Sequence, residues 1–389
     1  MKKIVLYGAF DRYNYGDNLM PIILKKFIET YRPELLKDYE LEFSAITRSD
    51  LSHYCCLKTR PINEVLKELQ SGTAVIVVGG EVVGAKREIL FLHSFKNQTI
   101  YKFFRSLKWR LPSLYLYCSR LLFSNVSELP YVIIDHDVRL FFNTVGGRVT
   151  STDYVLKQKS LVSLKSAEHL SVRDRRTESG MENFADPILV PDSVHAITKL
   201  INDEFLKEHI SNKVLPLIGR EYVVFQASPI KLSTPIHKLV SAIKELHKVS
   251  REKIVLLPIG YATGHDDGEL MAELNSRLPE ETLILSDLNL WEIMFVIKNA
   301  NAFYGTSLHG IITAFAFGKP HFCINKNIDK VNAYIKDWSI FPYNRSIEPE
   351  AMASTLSSEK TFEALERRAE ELADLVIKNS NTMFDKLQG

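Results

Sequence analysis

Apolar residues along this chain follow two patterns that alternate over most of its length. Short unbroken runs at 2–8, 40–47, 73–79, 131–135, 140–146, 168–172 and 187–191 predict strands in the first half. Val75–Val78 is a β-branched run of the kind buried on both faces of a parallel sheet. Between them, apolar positions at helical spacing predict helices at 17–31, at 61–70 behind Pro61, and near 153–164. A polar helix and the irregular stretch 212–219 come next, and that stretch is the expected hinge. The rhythm then restarts, with strands at 221–227, 253–259, 282–286, 301–304 and 320–324. Helices at 233–248, 266–277, 289–299, 308–318 and 328–338 alternate with them. Strand–helix alternation implies parallel sheets. The predicted fold class is therefore α/β, two Rossmann-like domains facing a cleft, with a long amphipathic helix over 359–387. Expected boundaries are 1–197 and 215–345 for the domains and 346–389 for a C-terminal helical segment.

Composition narrows the function classes. The 389 residues are 46% hydrophobic and 25% charged, which supports sizeable cores and excludes an intrinsically disordered chain. Lys and Arg number 49 against 47 Asp and Glu, and a net charge of +2 argues against a dedicated nucleic-acid binder. Cys55, Cys56, Cys118 and Cys323 include no CxxC pair, so neither a zinc site nor a disulfide framework is expected. The vicinal Cys55–Cys56 reads as two ordinary buried thiols. No metal cluster is evident, and no metal or cofactor is expected. The opening apolar run stops at Asp11–Arg12, too early for a secretory leader, and reads as a first strand. No stretch is apolar for long enough to span a membrane, so a cytoplasmic location is expected.

Charge is nonetheless unevenly spread. From Ile89 to Val126 there is no Asp or Glu, while Lys96, Lys102, Arg105, Lys108, Arg110 and Arg120 are present. Ile100, Phe103, Phe104, Leu107 and Leu111 share one arc of a helix that Pro112 should end. Two readings stand side by side: peripheral contact with the inner face of the cell membrane through 96–123, and a core-packed helix with snorkelling basic side chains.

Four loops carry candidate chemistry. After the first strand, Asn14-Tyr15-Gly16-Asp17 offers Asp17 as a helix N-cap with Pro21 in the first turn, or Asn14 and Asp17 as partners for sugar hydroxyls. Gly79-Gly80-Glu81 ends the β-branched strand as a plain turn or as a place where a ligand or another chain segment comes close. Arg173 in Ser171-Val172-Arg173-Asp174 is either surface charge or a bidentate clamp for phosphate or carboxylate. The most specific signal is Gly305-Thr306-Ser307-Leu308-His309-Gly310, where a strand and a Gly turn lead into an apolar helix. Its free amides and dipole favour an anion, and His309 in the first turn would face the cleft.

In this order the motifs resemble the polysaccharide pyruvyl transferase family: N-x-G-D at Asn14–Asp17, the glycine-rich strand end at Gly79–Gly80, V-R-D at Val172–Asp174, P-D at Pro191-Asp192, and S-L-H-G at Ser307–Gly310. The resemblance runs from about residue 8 to 335. It implies a GT-B architecture and transfer of the enolpyruvyl unit of phosphoenolpyruvate to a sugar of a cell-surface polysaccharide or its lipid-linked precursor. On this basis Arg173, Lys330 and the loop Gly305, Thr306, Ser307, Leu308 and Gly310 are expected to bind the donor. His309 is expected as general acid and Asp17 as base or orienting group. Asn14, Gly79, Gly80 and Glu81 fall on the acceptor side. The chain departs from the family at Ser307, where many members carry Arg, and at Glu81, in place of a third glycine. The competing expectation is a GT-B glycosyltransferase using a nucleotide sugar; a glycan-binding scaffold is the non-enzymatic one.

Overall fold

The computed structural model describes residues 2–95, 97–134, 137–149, 154–181, 185–232, 234–261, 267–356 and 362–389. Two parallel sheets organise the chain. The first has the order β3-β2-β1-β4-β6-β7-β8, with β5 paired to β6. Its strands are β1 (Lys2–Tyr7), β2 (Tyr39–Ala45), β3 (Arg60–Pro61), β4 (Thr73–Val78), β5 (Glu81–Val83), β6 (Val138–Gly147), β7 (His169–Val172) and β8 (Ile188–Leu189). The second, β11-β10-β9-β12-β13, comprises β9 (Tyr222–Gln226), β10 (Lys253–Leu256), β11 (Thr282–Ile284), β12 (Ala302–Gly305) and β13 (His321–Cys323). Every residue of β4 is buried, as a β-branched run between two helical layers requires.

Several expectations need correction. The run 131–135 forms no strand over its described residues: Tyr131 and Ile133 are buried, but β6 takes the place beside β4. The first helix begins at Tyr15, so Asp17 lies in its first turn and is not its cap, and Pro21 sits inside it. Pro21 has no N–H to donate to the Asp17 carbonyl four residues back. The segment expected as a helix over 61–70 is one short turn, Ile62–Val65, followed by a 3₁₀ turn, Leu66–Glu68. The stretch 212–219 is anchored, because Val214 and Leu217 are buried in the core of the second sheet.

The segment after 346 is not a separate appendage. Its helix Phe362–Gln388 buries Leu365, Ala369, Leu372 and Val376 in the core around the second sheet. Its last turns place Met383, Phe384 and Leu387 beside Ile4, Phe27 and Phe141 under the first sheet. Arg139 donates to the Leu387 carbonyl at 2.6 Å, and Asn379 lies 2.9 Å from the His169 ring. One helix thus ties both halves together. On the opposite side, the loop between β1 and the first helix is stitched directly to the second half. Tyr15 N–H donates to the Ile259 carbonyl at 3.1 Å, Asn14 forms a bridge with Gly260, and Tyr13, Tyr54 and Tyr261 form a cluster of near-parallel rings.

Candidate active site

The carboxyl ends of the strands from both sheets converge on a cavity of about 460 Å³. Strands run out of hydrogen-bonding partners there, and the loops that follow carry the polar side chains. Eight of the expected residues line it: Asn14, Asp17, Glu81, Arg173, Ser307, Leu308, His309 and Lys330.

His309 stands at the first turn of the helix Leu308–Ala316, whose N-cap Ser307 turns its hydroxyl back to the Gly310 N–H at 3.4 Å. The imidazole is 8% exposed. Its Nε2 lies 3.5 Å from Oδ2 of Asp192, an ion-pair distance longer than a hydrogen bond. The other edge of the ring crosses Gly16, where a Cβ would stand 1.8 Å from Nδ1. Only glycine fits, so the N-x-G-D loop has a steric meaning: it lets the first helix pass directly against the histidine of the other half.

Asp192 is fully buried between His309 and Arg173, whose Nη1 donates to its Oδ2 at 3.3 Å. The Asp192 amide is held by the Tyr334 hydroxyl and its Oδ1 accepts from Val194 N–H. Burial alone would raise its pKa, but His309, Arg173 and the Val194 amide outweigh that and hold it well below the usual carboxylate range. The fixed carboxylate behind the ring orients the imidazole at the cavity wall.

Arg173 is placed differently from the expectation of a free clamp. It is 1% exposed and caged by carboxylates: Glu81 at 2.8 Å, Asp192 at 3.3 Å and Asp174 at 3.7 Å. Trp338 fixes its backbone by donating to its carbonyl at 2.8 Å. Its charge is neutralised from within, so its work is to hold Glu81 and Asp192 in place. Glu81 is bound by Arg173 and Arg176; burial would raise its pKa, yet Arg173, Lys330 and Arg176 pull it down to about 2.

The glycines and amides also resolve otherwise. Gly79 and Gly80 are outside the cavity lining. Both have positive φ, and a Cβ on Gly79 would lie 2.3 Å from the Met20 sulfur, so here a side chain of the first helix makes the close approach. Gly305, Thr306 and Gly310 lie behind the wall. The amides of Thr306 and Ser307 donate to Oε1 of Gln226 at 3.1 and 2.9 Å, and a Cβ on Gly305 or Gly310 would strike Phe303. The anion cradle expected of this loop therefore reduces to the amides of Leu308 and His309, since Gly310 is capped.

Two cations missed in the sequence complete the picture. Lys231 and Arg12 line the same cavity as Lys330. Arg12 is 3.5 Å from Asp11. Lys231 and Lys330 are half-buried, and among the described residues neither ammonium has an ion pair or hydrogen bond. Burial, then Lys231 and Arg173, push the Lys330 pKa down to about 8 against the pull of Glu81 and Asp17. Burial likewise lowers Lys231. Two lysines lining one cavity without a direct ion pair, attracted only at a distance by Asp17, Glu81 and Asp267, mark a place suited to an anion.

Such an arrangement, two facing Rossmann-like halves with the site between them, is the GT-B architecture found in sugar-processing enzymes. The UDP-GlcNAc 2-epimerase from Neisseria meningitidis, solved with UDP-GlcNAc, superposes with a TM-score of 0.54 at 9% identity, over 100% of each chain. That from Methanocaldococcus jannaschii gives 0.52 at 12% identity, over 96% of this chain and 100% of the other. The wall teichoic acid polymerase TagF gives 0.51 at 12%, over 100% and 89%. At these identities the likeness concerns the fold alone. No curated protein matches. The polysaccharide pyruvyl transferase family model matches residues 14–327, from Asn14 past the His309 helix, and the chain belongs to that family of transferases.

Proposed function

We propose that this enzyme transfers the enolpyruvyl group of phosphoenolpyruvate to a sugar of a surface polysaccharide or its lipid-linked precursor, forming a pyruvate ketal and releasing phosphate. The observation that carries the reading is the pairing, in one cavity, of Lys231 and Lys330, neither in a direct ion pair among the described residues, with a His309 braced by Asp192. Phosphoenolpyruvate has a carboxylate and a phosphate, and its reaction starts with proton delivery. Lys231, Lys330 and the amides of Leu308 and His309 take the two anionic groups. His309, held by Asp192, passes its proton to the methylene carbon. A sugar hydroxyl adds at the central carbon, with Asp17 accepting its proton and Asn14 orienting it. A neighbouring hydroxyl then attacks the same carbon, its proton returning to His309, while the C–O bond to phosphate breaks and the departing phosphate takes the proton held by Asp17, closing the ketal. Ser307 lacks the charge of the family arginine, and Lys231, lining the same cavity, stands in for it.

Thermal shift separates this from a nucleotide-sugar reading. A ligand at 100 times its dissociation constant adds about 2.7 kcal/mol. Phosphoenolpyruvate is expected to raise the melting temperature and UDP-GlcNAc to leave it unchanged; the reverse order would overturn the proposal.

Gly16→Ala tests the contact between the halves. The new methyl forces the imidazole to shift by more than an ångström, and misplacement of that size costs about 100-fold in rate. Alanine is otherwise well tolerated in a helix. Turnover is expected to collapse while the melting temperature stays within a few degrees. Wild-type turnover in this variant would show that the ring position is immaterial.

A further inference from the structure

We infer that the helical hairpin Gln98–Arg110 and Pro112–Leu122 is a docking element for an anionic bilayer surface. The hairpin packs through a small aromatic core, Phe91, Tyr101 and Tyr115 with Phe104 and Leu107 against them, so the arc expected from the sequence divides. Phe104 and Leu107 turn inward; Phe103 stays outside, at 61% exposure, and Leu111 beyond the helix end is exposed too. Beyond them the outer face carries Trp109 at 81% exposure and, in the second helix, the stripe Leu114, Tyr117 and Leu121 at 46, 63 and 61%. A spacing of three and four residues puts that stripe on one side of its helix, opposite the buried Tyr115 and Ser119. Interleaved with these apolar groups are Lys102, Arg105, Arg110 and Arg120, with no acidic residue from 89 to 126; Lys96 lies outside the described residues.

This mixture decides the occupant. A two-fold interface with a second copy would lay the patch on itself and bring its cations together with no carboxylate between them. A bilayer satisfies both components at once: the aromatic and leucine side chains enter the headgroup boundary and the cations meet anionic lipid. The position fits as well. Tyr115 hydrogen-bonds to the Glu88 carbonyl of the helix Arg87–His93, and Ile89, Leu90 and His93 of that same helix line the cleft. A docked hairpin would hold the cleft mouth near the membrane plane.

The experiment uses the full chain without substrate, so its outcome is independent of pyruvyl transfer. Trp109 is exposed, whereas Trp291 and Trp338 are buried, so tryptophan emission reports on the hairpin. With vesicles of phosphatidylcholine and phosphatidylglycerol, co-flotation and a blue shift are expected, both weakened by salt and by omitting the anionic lipid. Each cation contributes a factor of about five at an anionic surface, so charge reversal at Lys102, Arg105 and Arg110 should lower partitioning at least about 100-fold. Leu114→Ser/Tyr117→Ser/Leu121→Ser should remove binding with unchanged melting, since these side chains are already in water. The inference fails if the wild type does not float at low salt. It fails equally if both variants float as well as wild type, or if the wild type is a dimer that the serine variant converts to monomer.

Discussion

Replacing His309 with alanine is expected to reduce phosphate release from phosphoenolpyruvate by 10²–10⁴-fold, the usual worth of a positioned general acid. The melting temperature should move little, because among the described residues the ring makes no hydrogen bond and it meets the fold mainly across Gly16 and Asp192. Substrate affinity should also persist, as the cations that hold the donor lie on other elements. The loss is then confined to the chemical step. Imidazole added to His309→Ala should restore part of the rate, since the pocket left behind has the shape of the ring and still contains the Asp192 carboxylate. Asp192→Asn should lower the same step without abolishing it. In a double variant the two losses should fall short of their product, because one acts through the other. Asp192→Asn also leaves a buried Arg173 with one carboxylate fewer, so a fall in stability is expected there and not in His309→Ala. A His309→Ala enzyme within about threefold of wild type would remove the histidine from the mechanism.

The two halves differ in what could be read before the structure. Strands such as Val75–Val78 are legible because burial on both faces demands an unbroken apolar run. The unbroken apolar run Tyr131–Ile134 misleads for a related reason. An apolar run reports that side chains are buried, not whether the backbone has a ladder partner, and here the Tyr131 ring packs on Tyr7 of β1 at 5.0 Å while the described residues 131–134 pair with no strand. His309 was visible because a strand end, a Gly turn and a helix start occur in one local stretch. The cage around Arg173 was not, because its carboxylates come from positions 81, 174 and 192 on separate elements. Lys231 left no local signal at all; it follows β9 in an ordinary loop and becomes significant only beside Lys330. The Gly16 motif was recognised as a pattern, yet its cause, a ring from residue 309 lying where a Cβ would be, is a tertiary fact.

The paired lysines give the second large effect, and its sign with pH can be worked out. In the free enzyme Lys330 loses its proton near pH 8, because burial, Lys231 and Arg173 all oppose its charge. An anionic donor binds the protonated form, so affinity should be level below about pH 8 and fall as the pH rises above it, approaching tenfold per unit. Working above pH 7 keeps the phosphate doubly charged, given its second pKa near 6, so the edge belongs to the protein. Removing Lys231 does two opposing things. It deletes a charge-assisted contact worth about 1.5–3 kcal/mol, which weakens phosphoenolpyruvate binding by roughly 10- to 150-fold. It also relieves the repulsion on Lys330, so the pH edge should move upward. Lys330→Ala should weaken binding by a similar factor and abolish that edge. Calorimetric titration of wild type and both variants across the alkaline range reads affinity and edge together. An edge that stays fixed in Lys231→Ala would mean that the two ammonium groups do not share one anion. Unchanged affinity in both variants would place the donor elsewhere in the cleft.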